Sequence, residues 1–494
     1  MSRRCGILLP ISSLPSKYGI GAFSKEAYEF VDFLAASGQK LWQVLPIGPT
    51  GYGDSPYQSF STFAGNPYFI DLDTLVQQKL LLQEECEACD WGDDPEKVDY
   101  EKIYTSRFVV LKKAFERFDR SDEGYQKFYE NHKEWVEEYA LFMVLKNHFG
   151  GKSWQDWPKE IRNHDASAID RYSHQYRGEI EFFIFQQYMF DKQWTDLRRY
   201  ANEAGVHIIG DIPIYVSLDS VEVWSHPELF ALDENRTPIA VAGCPPDAFS
   251  VDGQLWGNPL YDWSYHKKTG FAWWIGRMKV LFDRFDIVRI DHFRGFDEYY
   301  SIPYDAKTAA EGHWEKGIGI ELFDAMKKVF GEHAAIIAED LGYVTDSVKQ
   351  LLADTGYPGM KLIEFAFDSR EGGDYIPYNY TKNCVVYTGT HDNDTLQGWY
   401  KAISEEDREY TIEYLNNRET PVEEIHWDFI RLALSTVADT CVISAQDYLG
   451  LGSEARINTP SSIGGNWVWR MKKGACTRQL SQKILELSKI YGRS

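Results

Sequence analysis

Asp286-Ile287-Val288-Arg289-Ile290-Asp291-His292-Phe293-Arg294 is the stretch from which the rest of the chain can be read. Its apolar centre fits a buried strand, and strand side chains alternate, so Arg289 and Asp291 face the same side. An arginine beside an aspartate favours the ionised acid. An ionised carboxylate at the C-terminal end of a strand suits nucleophilic attack. A structural Arg–Asp ion pair at a strand end would leave the same trace. Other apolar runs also end in acids: 206–210 before Asp211, 334–338 before Glu339, and 384–387 with Asp392 beyond its polar end.

Working outward, strands alternate with helices. Runs at 5–10, 40–46, 68–72, 206–211, 286–291, 334–342, 359–367, 384–394 and 441–447 read as strands, for a count of about eight. Ser24 caps a helix with Ala27, Phe30, Val31 and Leu34 on one face and Gly38 as its stop. Residues 181–204 read as a long helix closed by Gly205. Eight parallel strands with following helices predict a (β/α)8 TIM barrel of the α/β class, formed by residues 1–72 and 200–494. Residues 73–199 read as a mainly helical insertion. Residues 213–263 are too long for an ordinary connection and read as a substrate-covering loop, or as an excursion packed on the helical insert. A doubly wound open sheet is the alternative, but neither GxGxxG nor GxxxxGK[ST] occurs. In a barrel, Asp211, Asp291, Glu339 and Asp392 would converge at one face.

Composition narrows the partner. A net charge of −23 over 494 residues opposes a nucleic-acid surface and favours a neutral substrate. The 16 Trp, 31 Tyr and 28 Phe fit sugar binding through flat aromatic faces, or simply an aromatic-rich core. Seven scattered cysteines are no disulfide framework and point to a reducing compartment. Cys86-Glu87-Ala88-Cys89 has CxxC spacing without a second pair, a weak metal or redox signal. No apolar run is long enough for a membrane span or a signal peptide, so a cytoplasmic location is expected.

Glycoside chemistry needs one ionised carboxylate that attacks and one protonated carboxyl that donates. Asp291 suits the first role. Glu339, behind a wholly apolar run and near an anionic Asp291, suits the second. Asp392, preceded by His391, could hold sugar hydroxyls of a distorted ring. A metal hydrolase would want more histidines than His292 and His391, and no HxH pair is present. Buried ion-pair networks are the remaining alternative.

The chain resembles the 4-α-glucanotransferases (amylomaltase, or disproportionating enzyme) of the α-amylase clan. The resemblance lies in Leu45-Pro46-Ile47-Gly48-Pro49-Thr50-Gly51-Tyr52-Gly53-Asp54-Ser55-Pro56-Tyr57, Gly210-Asp211-Ile212-Pro213, Pro245-Pro246-Asp247, Gln254-Leu255-Trp256-Gly257-Asn258-Pro259, Arg289 to Phe296, Glu339-Asp340-Leu341-Gly342, Thr390-His391-Asp392-Asn393 and Gly464-Gly465-Asn466-Trp467. It implies Asp291 as nucleophile, Glu339 as general acid/base and Asp392 as transition-state stabiliser, with Arg289 and His391 in support. It further implies that Tyr57, Asp211, Asp247, Gln254, Trp256 and Asn466 bind glucan. No metal or organic cofactor and no C-terminal β-sandwich are expected. The implied partners are maltooligosaccharides and α-1,4-glucans, with no nucleic acid and no membrane; monomer and homodimer stay equally open. Ala22 after Gly21, and Asp252 in the covering loop, depart from the family pattern. A hydrolase with the same residues, or a catalytically silent glucan-binding protein, are the rival readings.

Overall fold

The computed structural model describes residues 3–51, 53–246, 252–332, 334–342, 344–368, 373, 375–462 and 464–494. Along the chain the strands among the described residues are β1 (Arg4–Leu8), β2 (Leu41–Gln43), β3 (His207–Ile212), β4 (Ala240–Cys244), β5 (Gln254–Pro259), β6 (Ile287–Ile290), β7 (Glu298–Pro303), β8 (His313–Lys316), β9 (Ile336–Ala338), β10 (Gly359–Leu362), β11 (Cys384–Tyr387) and β12 (Thr440–Ser444). Eight of them form one parallel sheet in the order β10-β11-β12-β1-β2-β3-β6-β9. The two ends of that order meet. Ala338 N–H donates to Pro358 O (3.0 Å), and Met360 N–H donates to the Asp340 carboxylate (2.6 Å). The sheet is thereby curled into the (β/α)8 barrel.

The strands lie between helices and the barrel interior, which is why they read as continuous apolar runs: β6, β9, β11 and β12 are buried along their whole length. Gly6 is required where β1 meets β2, because a Cβ there would sit 2.4 Å from Leu41 Cβ. Gly210 plays the same part in β3, where the Phe285 ring lies 2.3 Å from the Cβ position. Asp286, the first residue of the deciding stretch, ties β6 to β3. Its carboxylate accepts from Ile208 N–H (2.7 Å), Asn202 Nδ2 (2.8 Å) and Arg198 Nη2 (2.8 Å).

Between β2 and β3 the chain is helical, with long helices at Tyr100–Arg117, Glu123–His148 and Arg177–Glu203. Phe115, Phe118, Tyr125, Phe128, Phe182, Phe185 and Tyr188 fill the space between them. Trp42, Trp154, Trp194, Trp224 and Trp274 are also fully buried. Much of the aromatic content that suggested sugar binding is therefore core.

Three expectations need correction. Residues 68–72 form no strand: Pro67–Phe69 is a 3-10 turn, started by Pro67 and by Asn66, whose side chain accepts from Tyr68 N–H (3.0 Å). The 213–263 stretch is more than a covering loop. It supplies β4 and β5 to a four-stranded antiparallel sheet, β5-β4-β7-β8, completed by the hairpin that follows β6. It is also pinned to the helical layer. Buried Lys146 donates to Asp219 Oδ2 (2.5 Å) and Trp154 Nε1 donates to Leu218 O (2.7 Å). The expected strand 359–367 ends at Leu362 and continues as a 3-10 turn, Ile363–Phe367.

Candidate active site

The parallel ladder continues one residue past the strand ends and sets the site. Asp291 N–H donates to Ile212 O (2.8 Å), and Glu339 N–H donates to Ile290 O (3.0 Å). Side chains from β3, β6, β9 and β11 consequently emerge at one end of the barrel. Asp211 and Arg289 lie deepest. Arg289 Nη1 donates to both Asp211 oxygens (2.7 and 2.7 Å), and its Nη2 lies 3.0 Å from Asp291 Oδ1. Its Nε donates to Met360 Sδ (3.4 Å), which leaves the guanidinium 3 % exposed.

One guanidinium thus serves two carboxylates, and this changes the electrostatics expected from the sequence. Arg289 does pull Asp291 toward ionisation, but burial and the negative Asp211 outweigh it, and Asp291 is pushed up to about 6. The Asp291 side chain keeps 30 % exposure as the opening toward a ligand, while protein surrounds the rest.

Glu339 is held by backbone. His292 has φ of +52°, so the chain turns sharply after Asp291 and His292 N–H donates to Glu339 Oε2 (2.6 Å). Leu341 N–H donates to Oε1 (2.9 Å). These bonds favour the carboxylate, yet burial and the neighbouring Asp291 prevail and raise Glu339 to about 7. The His292 ring is driven down to about 3 by burial and by Arg294, so it is neutral; it meets the Trp256 ring edge-on at 4.9 Å.

The third acid stands opposite. Asp392 Oδ2 lies 3.4 Å from His391 Nε2. The His391 ring stacks on Tyr57 (4.9 Å, 17°), whose hydroxyl donates to Asp211 Oδ2 (2.8 Å). Burial and Asp211 hold the Tyr57 phenol well above its ordinary range, so it stays a neutral donor. Asp211, Arg289, Asp291, Glu339, His391, Asp392 and Tyr57 form one connected cluster, with Trp256 joined through His292. Gln254 accepts from Trp256 Nε1 (3.1 Å) and so belongs to the same wall.

Asn466 is bonded within its own loop. Its Oδ1 accepts from Thr459 N–H (2.9 Å) and its Nδ2 donates to Ser462 Oγ (3.1 Å), so the side chain staples its own loop. That loop reaches the site through Trp467, which packs on Tyr57 and His391. Asp247 lies outside the described residues. Asn458 and Arg456, which the sequence reading did not single out, bond directly to Asp392. They sit 66 and 64 residues beyond it, and nothing local in the sequence marks them.

Among the described residues no three His, Cys, Asp or Glu side chains are arranged to hold a metal ion. Cys86, of the CxxC pair, is buried, and burial pushes its thiol up to about 11.

A family model described as 4-alpha-glucanotransferase matches residues 9–477. The chain is similar to the 4-alpha-glucanotransferase of Clostridium butyricum, 49% identical over 486 residues, covering 98% of this chain and 99% of the relative. It is 44% identical to the Thermus thermophilus 4-alpha-glucanotransferase over 505 residues, covering 100% and 99%. The solved amylomaltase from Streptococcus agalactiae in complex with acarbose superposes with a TM-score of 0.96 at 43% identity, over 100% of both chains. With a barrel of this order, three acids at its strand ends and matches that run the length of the chain, the protein belongs to the 4-alpha-glucanotransferase family, the amylomaltases.

Proposed function

We propose that the chain transfers α-1,4-glucan segments by a retaining double displacement at Asp291, Glu339 and Asp392. Glu339, protonated near neutral pH, gives its proton to the glycosidic oxygen as the C1–O bond breaks. The Asp291 oxygen not held by Arg289 forms a bond to C1, and the reducing-end fragment leaves with the proton. Glu339, now a carboxylate, takes the proton of an acceptor 4-hydroxyl; that oxygen bonds to C1 and Asp291 is released. Two inversions keep the α configuration. Asp392 binds sugar hydroxyls of the distorted ring, and Trp256 and Tyr57 line the cleft.

One arrangement carries this reading: Asp291 holds the Arg289 guanidinium at 3.0 Å, whereas burial and the negative charge of Asp291 raise Glu339. Two neighbouring carboxyls with separated affinities supply an attacking anion and a proton donor together. Maltooligosaccharides are the proposed donors and acceptors. A reducing, cytoplasmic setting is proposed from the odd number and scattered positions of the seven cysteines.

The test is incubation with maltotriose alone. Glucose and longer maltodextrins should appear while total reducing ends stay constant. Rising reducing ends with only shorter products would make the chain a hydrolase. Binding without products would leave it a glucan-binding protein.

A further inference from the structure

Asp392 is held differently from the other two acids. Asp291 has Arg289, and Glu339 has two backbone N–H groups. Asp392 lies in a turn beyond β11 with its side chain 46 % exposed. A half-exposed carboxylate rotates among its rotamers unless its oxygens are taken. Here Asn458 Nδ2 donates to Asp392 Oδ1 at 2.6 Å. The same segment grips the backbone: Asn458 N–H donates to His391 O (3.1 Å), and Arg456 Nη2 donates to Asp392 O (2.7 Å). Arg456 Nε in turn donates to Asn458 O (2.8 Å). The segment is itself fixed, because Trp467 N–H donates to Ile457 O (2.7 Å) and Trp467 packs on the Tyr57–His391 stack. With Oδ1 occupied, Oδ2 faces His391 and is the oxygen left for a ligand.

We propose that Asn458 is a positioning residue for the transfer reaction, its amide fixing the rotation of the Asp392 carboxylate so that Oδ2 meets the sugar hydroxyls of the transition state. The proposal rests on the reading of Asp392 as the stabilising acid. An amide suits the task because it donates a hydrogen bond to the carboxylate without bringing a charge of its own.

The test uses maltotriose disproportionation with Asn458→Ala, Asn458→Asp, Asp392→Asn and the double variant Asp392→Asn/Asn458→Ala. Asn458→Ala should lower kcat roughly tenfold to a hundredfold, the scale on which an ångström of misplacement registers. KM should stay within about threefold, since orientation acts in the transition state. On the Asp392→Asn background the Asn458→Ala change should cost nothing further. Asn458→Asp keeps the shape and the fold, checked by circular dichroism, but sets two carboxylates against each other. Such a pair repels and turns Oδ1 away, so kcat should fall at least as far as in Asn458→Ala. Folded Asn458→Ala or Asn458→Asp with kcat within about twofold of the parent overturns the proposal. If Asp392→Asn is inactive in that case, the mechanism stands without it. An active Asp392→Asn would overturn the mechanism and the proposal together.

Discussion

Asp211→Asn removes one of the two negative charges that share Arg289 and keeps the shape of the side chain. The bonds on either side of the guanidinium are 2.7 and 3.0 Å. With the span of the guanidinium added, the two carboxylates are about 8 Å apart, and at an effective dielectric constant of about 20 they repel by about 2 kcal/mol. That is about one and a half pKa units on Asp291. The substitution also leaves Arg289 with Asp291 as its single anionic partner. Both effects favour ionised Asp291, so its titration should fall from about 6 by that amount. Glu339 carries the other limb and should remain near 7. The assay is kcat/KM for glucose release from maltotriose, measured from about pH 4 to 9, which reports the essential groups of the free enzyme. The acid limb should move down and the bell should widen on that side alone. An acid limb that stays in place or moves up would refute the idea that Asp211 and Arg289 set the titration of Asp291.

Three further outcomes follow from the same geometry. Asp291 and Glu339 bind protons more tightly folded than unfolded, so their charged forms oppose folding as pH rises through the carboxylate range to about 7. Asp291→Asn and Glu339→Gln should each abolish transfer yet raise stability by about 1–3 kcal/mol at pH 8, with the gain absent at pH 3, read from thermal melts. Tyr57→Phe keeps the stack on His391 but loses the 2.8 Å bond to Asp211, and should cost about 1.5–3 kcal/mol in transition-state stabilisation, read as kcat/KM. Gly6→Ala puts a methyl group 2.4 Å from Leu41 Cβ at the β1–β2 seam, and should lower stability by about 3 kcal/mol or more, read by denaturant titration.

The barrel was legible because its strands are buried on both faces and carry their acids at one end. Asp211, Asp291 and Glu339 each follow a short apolar run, and Asp392 lies just beyond another, so local sequence marks each strand and the acid near its end together. The helix facing inward at Ala27, Phe30, Val31 and Leu34 was legible for the same reason: one face is apolar at helical spacing. The antiparallel sheet was not. Its β4 and β5 carry Gly243, Gly257 and Pro259, and β5 is largely half-exposed, so breakers mask the strand pattern. Residues 68–72 misled in the opposite direction, because an apolar run obeyed the capping of Asn66 and Pro67 instead of strand pairing.

What the sequence by itself determined is therefore the local part: strand runs, helix faces, and the identities of the acids at the strand ends. Only the tertiary structure decided how those acids are balanced. Arg289 stands two residues from Asp291 in sequence, yet gives both bonds of one nitrogen to Asp211, 78 residues away, so Asp291 is pushed up to about 6. Asp392 takes its orientation from Asn458, on a segment that no local pattern connects to it. Burial and charge sharing are properties of side chains brought together from distant positions, and a run of neighbouring residues does not contain them.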